Sequence, residues 1–390
     1  MRIITTERIP IKLWLDNIDR ETLQQVKNLA NFPFTHHHIA LMPDAHVGYG
    51  MPIGGVAATI GVVIPNAVGV DIGCGVRAVR TSLTSIEPSE LKKIVARIRE
   101  TIPLGFNHHK KPRPAKLMPD LSTAISESSL PVIAREFEKG RYQLGTLGGG
   151  NHFIEIQMGN DGHIWLMIHS GSRNIGYRIA GYYNQLAKDF HKSGGLKIDP
   201  KWQLDYLPIC STNGSNYFTE MEYCVRFAAA NRKEMMSRVC AIIADTDPTA
   251  TFAPAVDIAH NYASKEHHFG EDVIVHRKGA TKAVKDGIGI IPGSQGSNSF
   301  IVKGLGAPES FMSCSHGAGR KLGRKQARRQ LNLAREIEFL KKRGVIHAIR
   351  HKKDLDEAAG AYKDVHEVLE NQQDLVEKTV TLSPLAVVKG

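Results

Sequence analysis

The chain has little cysteine, and what it has is not arranged to cross-link. Cys74, Cys210, Cys224, Cys240 and Cys314 are an odd number in 390 residues and include no CxxC pair. This argues against a disulfide framework and for a reducing compartment. Long apolar runs are missing too: no stretch approaches the roughly 20 apolar residues that span a bilayer. The N-terminal MRIITTERIPIKLW also lacks the charged, apolar and small-residue sections of a signal peptide. A soluble, cytoplasmic protein is the expectation. There is no low-complexity tract and no repeat at solenoid periods. With 42% hydrophobic and 23% charged residues, global disorder is excluded. Acidic residues are outnumbered, 39 Asp and Glu against 50 Lys and Arg, for a formal net charge of +11. That surplus favours a polyanionic partner through attraction to phosphate and counterion release.

Local patterns alternate between helix and strand without regular βαβ succession. A helix is expected over Ile18 to Asn31, capped by Asp19, and another over Glu87 to Glu100, which opens with a proline. Between Met42 and Arg80, β-branched runs flanked by Gly and Pro read as short buried strands. His36, His37 and His38 read as solvated loop or local structure. The basic, proline-containing segment Asn107 to Asp120 reads as a loop, and Ile164 to Ser170 as a strand. Helices are expected over Ile175 to His191 and Glu220 to Ala244, with a loop rich in Ser, Asn and Gly between them. Strands and turns return over 272–312. A basic helix over Lys321 to Arg343 and a shorter one near Asp364 to Asn371 follow, and the terminal LAVVKG reads as a docked strand. The pattern predicts a single α+β domain spanning residues 1–390, with Gly-rich loops gathered at one site.

Polar residues that bind metals or phosphates sit in Gly-rich segments far apart in the chain. VGVDIGCG places Asp71 and Cys74 three residues apart among glycines that permit a tight backbone. LGTLGGGNHFIE sets Asn151, His152 and Glu155 after three consecutive glycines. IHSGSRNIG carries His169 and Arg173, and DIAHNYA carries His260. Each histidine alone is more often a hydrogen-bonded structural residue than a ligand. Together, one carboxylate, one thiolate and three imidazoles form a set able to hold two divalent ions if the sulfur bridges them, and composition does not choose between Zn²⁺ and Mn²⁺. In SCSHGAGR, His316 is held between small residues and sterically open. Its ring nitrogen can reach an electrophilic phosphorus, with Arg320 and a helix N-terminus to neutralise phosphate charge. PGSQGSNS, with Ser294 and Ser299, offers amides and hydroxyls to a phosphate or a base edge. Neither segment is a GxxxxGK[ST] loop, so a P-loop nucleotide site is excluded.

MPDAHVGYG, VGVDIGCG, LGGGNHFIE, HSGSR, HNY, HRKGAT, PGSQGSNSFIVKG, SCSHGAGR and the terminal VVKG stand in this order in the chain. From about residue 2 to Gly390 it closely resembles the RtcB family of GTP- and Mn²⁺-dependent RNA ligases. The resemblance implies a 3′-phosphate/5′-hydroxyl nucleic acid ligase of tRNA splicing or RNA repair. It implies two Mn²⁺ ions bridged by Cys74, one also held by Asp71 and His152, the other by His169 and His260. It implies that His316 attacks the α-phosphorus of GTP and becomes guanylylated. Asn151 and Arg173 would contact phosphate, while Glu155, Ser299 and Lys389 would hold guanine. Ser294, Gly317 and Gly319 fall among the nucleotide contacts, and Asp44 matches an acidic residue close to the metals. The implied partners are RNA with a 3′-phosphate or 2′,3′-cyclic phosphate end and a 5′-hydroxyl end, GTP, and an archease-like activator of a monomeric enzyme. Gln295 departs from a methionine common at that place, and KLGR follows Arg320 where a Met-Ser-Arg run is more usual. Two rivals differ in what they require. A metallophosphoesterase would need the metal ligands without His316 or the guanine contacts, and a catalytically silent RNA-end binder would be expected to have lost a ligand.

Overall fold

Two sheets carry the fold, and at one of the crossings between them a single residue makes the link. The computed structural model describes residues 1–121, 130–196 and 198–390. Among these, a seven-stranded antiparallel sheet runs in the order Val256–Ala259, Gly75–Arg80, Ile164–Ser170, Phe153–Gly159, Val376–Lys389, Ser299–Gly304, Ile288–Ile291. A six-stranded sheet runs Arg2–Ile4, Ile11–Leu13, Thr35–His46, Ile53–Thr59, Glu271–Lys278, Asn261–His268. Its one parallel pair joins Ile11–Leu13 to Thr35–His46. His260 alone separates the edge strand of the first sheet, Val256–Ala259, from that of the second, Asn261–His268. A small ribbon pairs Ala280–Lys282 with Ser313–Ser315.

The larger sheet is buried on both faces, which is why IWLMIHS reads as a continuous apolar run with all seven residues inside. Successive side chains point to opposite faces. Val79, Ile154 and Ile168 therefore pack against Ile94 and Ile98 of the helix Pro88–Thr101 and Val239 of the helix Thr212–Thr246. Val76, Phe153 and Met167 pack on the other side with Ile301 and Leu340. The helices start where the sequence carries caps. Asp19 accepts from Thr22 N at 2.8 Å to open Arg20–Asn31, and a proline opens Pro88–Thr101. Helices and strands are mixed as expected, in an α+β arrangement consistent with a single domain. No helix among the described residues is long and apolar enough to cross a membrane.

Several local expectations are corrected. The Ser/Asn/Gly-rich stretch before Glu220 is the first turns of a 35-residue helix, Thr212–Thr246, because Ser211 caps it by accepting from Gly214 N at 3.1 Å. The expected basic helix Lys321 to Arg343 is two helices, Arg324–Gln330 and Leu333–Lys342. Asn332 breaks it by adopting extended backbone and capping the second helix through Arg335 N. The His36 to His38 run lies in the strand Thr35–His46, with His38 wholly buried against Phe311 rather than solvated. The helix Ile133–Gln143 has no counterpart among the expectations.

Candidate active site

Neighbouring strands of the larger sheet end at one level, and the chemistry sits on that rim. Ala259 pairs with Gly75, Gly75 with Ser170, His169 with Phe153, and Phe153 with Lys389. His260, Cys74, His169, His152 and Lys389 thus meet at one edge although they are distant in the chain. Cys74 Sγ lies 3.4 Å from His152 Nε2 and 3.2 Å from His169 Nε2. His152 Nε2 is 3.0 Å from Asp71 Oδ2, and His169 Nε2 is 3.4 Å from His260 Nε2. The ligand atoms form two triads, Asp71–Cys74–His152 and Cys74–His169–His260, that share the sulfur.

These spacings fit metal ions. Ligand atoms placed tetrahedrally at about 2.1 Å from an ion lie about 3.4 Å apart. The tautomer of His152 is also set: its Nδ1 donates to Leu147 O at 2.9 Å, so the Nε2 lone pair faces the cluster. Burial and the neighbouring histidines push His169 and His260 well below the usual imidazole range, so both are neutral ligands. Burial, with Asp71 beside it, pushes the Cys74 thiol well up. Thiolate formation at this position therefore requires a cation to offset the charge. Burial opposes the charge on Asp71, but its contacts with His152 and Cys74 and the charge of Arg173 outweigh it and hold this carboxyl below its ordinary value. The backbone makes room for that carboxylate: a Cβ on Gly171 would fall 2.1 Å from Asp71 Oδ1.

His316 follows the ribbon strand Ser313–Ser315 and comes to the cluster from the opposite side, its ring centroid 4.7 Å from that of His260. Asp44, in the six-stranded sheet, is fully buried. Its Oδ2 accepts from His316 Nδ1 at 2.6 Å and from the His316 backbone N–H at 3.1 Å. A donor at Nδ1 leaves the Nε2 lone pair of His316 open. Gly319 is held at φ +70° with its Cα against Asp44, where a Cβ would meet Asp44 O at 2.1 Å; this close approach sets the turn after His316.

The cavity in front of His316 has a volume of about 260 Å³, and Asn151, Glu155, Ser294, Gly317, Gly319 and Lys389 all border it, as do His316 and four of the five cluster residues. The fifth, His152, is held in the cluster by the contacts already given. Ser299 stands one layer back, accepting from Gln157 Nε2 at 3.0 Å and from Gly293 N at 3.1 Å, while Gln157 also donates to Glu155 Oε2 at 2.7 Å. Burial raises the Glu155 carboxyl to about 8, against the opposing charge of Lys389. Arg173 borders an adjoining cleft rather than the central cavity. It donates to Thr146 Oγ1 at 3.1 Å and fills the space a Cβ on Gly148 would take. The helix expected from Lys321 begins only at Arg324, which also borders the cavity. Arg320 is occupied as well, 3.2 Å from the buried Glu357.

Residues without a sequence signal complete the frame. Arg232, buried in the middle of the long helix, donates to Gly73 O at 3.0 Å and Ser170 O at 2.9 Å, fixing the segments that carry Cys74 and His169. Next to it Asn231 Oδ1 accepts from Gly145 N at 2.7 Å, and Asn231 Nδ2 donates to Gly171 O at 3.2 Å. Glu357 gathers Arg320, Arg324 and, at 3.9 Å, Lys389. Only a fold places these beside the site. His46, inside MPDAH, borders the cavity and is readable in the sequence as a motif residue without a role.

A family model described as tRNA-splicing ligase RtcB matches residues 25–390. The RNA-splicing ligase RtcB of Escherichia coli K12 is 38% identical over all of this chain and 99% of its own length. The tRNA-splicing ligase RtcB of Methanococcus maripaludis is 32% identical over 98% of this chain and 95% of its own, and the RNA-splicing ligase RtcB of Mycobacterium bovis is 31% identical over 94% of this chain and all of its own. The chain belongs to the RtcB family of tRNA-splicing ligases.

Proposed function

We propose that the protein seals RNA ends, joining a 3′-phosphate or 2′,3′-cyclic phosphate to a 5′-hydroxyl with GTP and Mn²⁺, through a guanylylated His316 and an RNA-(3′)pp(5′)G intermediate. The observation that carries the reading is the His316 ring, tied at Nδ1 to Asp44 and open at Nε2 beside a cluster able to hold two ions. Divalent ions held by Asp71, Cys74, His152, His169 and His260 would offset charge on the phosphates and polarise them toward attack. His316 Nε2 attacks the α-phosphorus of GTP, a P–N bond forms and pyrophosphate leaves, while Asp44 stabilises the positive ring through Nδ1. An oxygen of the RNA 3′-phosphate then takes GMP from His316, which regains its lone pair. The 5′-hydroxyl oxygen attacks the activated 3′-phosphorus, and GMP departs as the phosphodiester closes. A cyclic end must first be opened by water. Glu155, with Ser299 and Gln157 behind it, offers an acceptor to the amino and imino groups of guanine, and Lys389 a donor to its carbonyl. The net charge of +11 holds the RNA backbone without reading its sequence.

The test is incubation with radiolabelled GTP and Mn²⁺, then with RNA carrying a 2′,3′-cyclic phosphate and a 5′-hydroxyl. One acid-labile GMP should map to His316. His316→Ala should lose the adduct yet still join an RNA already carrying the 3′-pp-5′-G cap. Mapping of the GMP to a lysine would overturn the mechanism.

A further inference from the structure

A rigid turn displays a bare aromatic ring at the mouth of the site. Phe106 is 99% exposed. The turn beneath it is tied to the loop that carries His152: Gly105 N donates to Gly148 O at 3.1 Å, Leu147 N to Pro103 O at 3.0 Å, and Asn107 N to Leu104 O at 3.1 Å. Leu104 and Gly148 form a parallel bridge, and Arg173 Nη2 donates to Gly105 O at 3.4 Å. Phe106 therefore does not sit on a wandering loop: the residues on either side of it are held, Gly105 by the loop that leads to His152 and Asn107 by Leu104.

The ring borders a cleft of about 730 Å³ that runs past Gly149 and Gly150 toward Arg324, Arg328 and Lys353. Gln295, Arg324, Glu357 and Lys389 border both this cleft and the cavity in front of His316, so the two are continuous. The acidic residues of the cleft are engaged: Glu357 by Arg320 and Arg324, Asp356 by Arg328, and Asp354 by the backbone N–H groups of Arg350 and His351. Lys353 and Arg173 add to the positive side, and Lys110 and Lys111 follow Phe106 a few residues on. An apolar protein partner would need a contiguous apolar patch, whereas the cleft that Phe106 borders is lined mainly by glycines, cations and engaged acids, with Ala348 and the buried Ile349 as its other apolar residues. A single exposed π-face beside cations is the arrangement that holds a single-stranded nucleic acid, since every base can stack on it.

We propose that Phe106 is a stacking platform for an unpaired nucleobase of the RNA strand whose end reaches His316. The proposal rests on the RNA-ligase reading above and adds to it a residue that orders the strand near the reacting end. Loss of one stacked base corresponds to a roughly 5- to 150-fold change in affinity.

The test uses the full-length protein with Phe106→Ala and Phe106→Trp, and short single-stranded RNAs in which one nucleotide at a time near the end is abasic. Formation of the His316–GMP adduct without RNA reports that each preparation has a formed site. Phe106→Ala should raise KM for RNA and weaken RNA binding roughly 5- to 150-fold with kcat little changed. The indole fluorescence that Phe106→Trp adds to the wild-type signal should be quenched by intact RNA. One abasic position should abolish both the quenching and the penalty of Phe106→Ala. Unchanged KM and affinity in Phe106→Ala, or a penalty that persists on every abasic strand, overturns the platform. Wild-type protein that ligates while Phe106→Ala matches it refutes the platform alone. Wild-type protein that neither takes GMP nor ligates, while the added indole of Phe106→Trp shows quenching lost at one abasic position, refutes the ligase reading and leaves a nucleic-acid contact.

Discussion

Glu266 is the residue whose removal should most clearly separate scaffold from chemistry. It lies in the strand Asn261–His268, its side chain 7% exposed, and it faces Arg277, whose side chain is wholly buried. Arg277 Nη1 is 2.6 Å from Glu266 Oε1 and Nη2 is 3.2 Å from Oε2. The same guanidinium donates to Ser313 Oγ at 2.9 Å and to Phe311 O at 2.9 Å, at the start of the ribbon that ends in His316. Burial opposes the charge on Glu266, and Arg277, Ser264 and His268 overcome it, bringing the carboxyl from 4.5 down to about 2. A lowered carboxyl stabilises the fold above its unfolded value and loses that contribution as the pH falls through its folded value. The contribution is therefore complete above about pH 5 and drains away toward pH 2, and its size is about 3 kcal/mol. Glu266→Gln strands a buried guanidinium and should lower unfolding free energy at pH 7 by about 3–5 kcal/mol. Urea titrations at a series of pH values between about 7 and 2.5 should show wild type and variant converging as the pH falls. The double variant Glu266→Gln/Arg277→Met should recover much of the loss, since it leaves no unpaired charge. A single variant within about 1 kcal/mol of wild type at pH 7, or a gap that does not narrow in acid, would refute the reasoning, because it would show that the pair contributes nothing beyond a surface ion pair.

The remaining predictions concern the site. Asp44→Asn should slow GMP transfer to His316 by roughly 10²- to 10⁴-fold while metal content by atomic absorption stays at the wild-type level, since the carboxylate touches His316 and not the cluster. Cys74→Ala should lose both metal content and ligation, and serine should not rescue it, because one sulfur serves both triads; full ligation by a folded Cys74→Ala protein would contradict the shared-sulfur assignment. With the Glu155 carboxyl at about 8, binding of guanine to its carboxylate must release a proton. GTP affinity should then rise up to about tenfold per pH unit below about pH 8 and level off above it, and calorimetry on Glu155→Gln should find this slope removed. Deleting Lys389 and Gly390 should weaken GTP use and erode the preference over ATP with the metals still bound; unchanged selectivity would exclude the tail from the site.

The site is more readable in the sequence than the frame that holds it, for a physical reason. Asp71, Cys74, His152, His169, His260 and His316 are carried largely on Gly-rich stretches, because side chains that converge on one point need a backbone that turns tightly and approaches closely. Gly171 against Asp71 and Gly319 against Asp44 show that need directly. Arg232 and Asn231 lie within a helix whose pattern is otherwise that of a buried core segment, and nothing local marks them as supports for the Cys74 and His169 segments. Their role depends on long-range packing that periodicity does not encode. Helix limits are misplaced for local reasons. The stop at Leu331–Asn332 rests on a single cap within a strongly basic run, and the start at Thr212 on a serine followed by residues that favour turns. His38 misleads because a run of imidazoles looks polar, whereas stacking on Phe311 and a hydrogen bond to Glu309 O at 2.7 Å make a buried neutral ring acceptable.

The division of the site between two sheets has a mechanistic consequence. Cys74, His152 and His169 sit at the ends of mutually hydrogen-bonded strands, so their spacing is set by ladder register, and a fault in the ladder displaces them together. His316 has no place in that ladder. Its position comes from Asp44 in the other sheet and from the ribbon anchored through Ser313 to Arg277 and Glu266. His260 is the single residue between the edge strands Val256–Ala259 and Asn261–His268 of the two sheets, and its ring meets that of His316 edge-on with centroids 4.7 Å apart. On the proposed mechanism, a nucleophile that accepts and then releases a nucleotidyl group needs a freedom that residues holding ions would not. Hanging it on a separate support allows the ring to shift without altering the ligand spacing. Faults at Asp44 or Glu266 should accordingly reduce the first chemical step while sparing the joining of pre-activated ends, whereas faults in the rim should remove both.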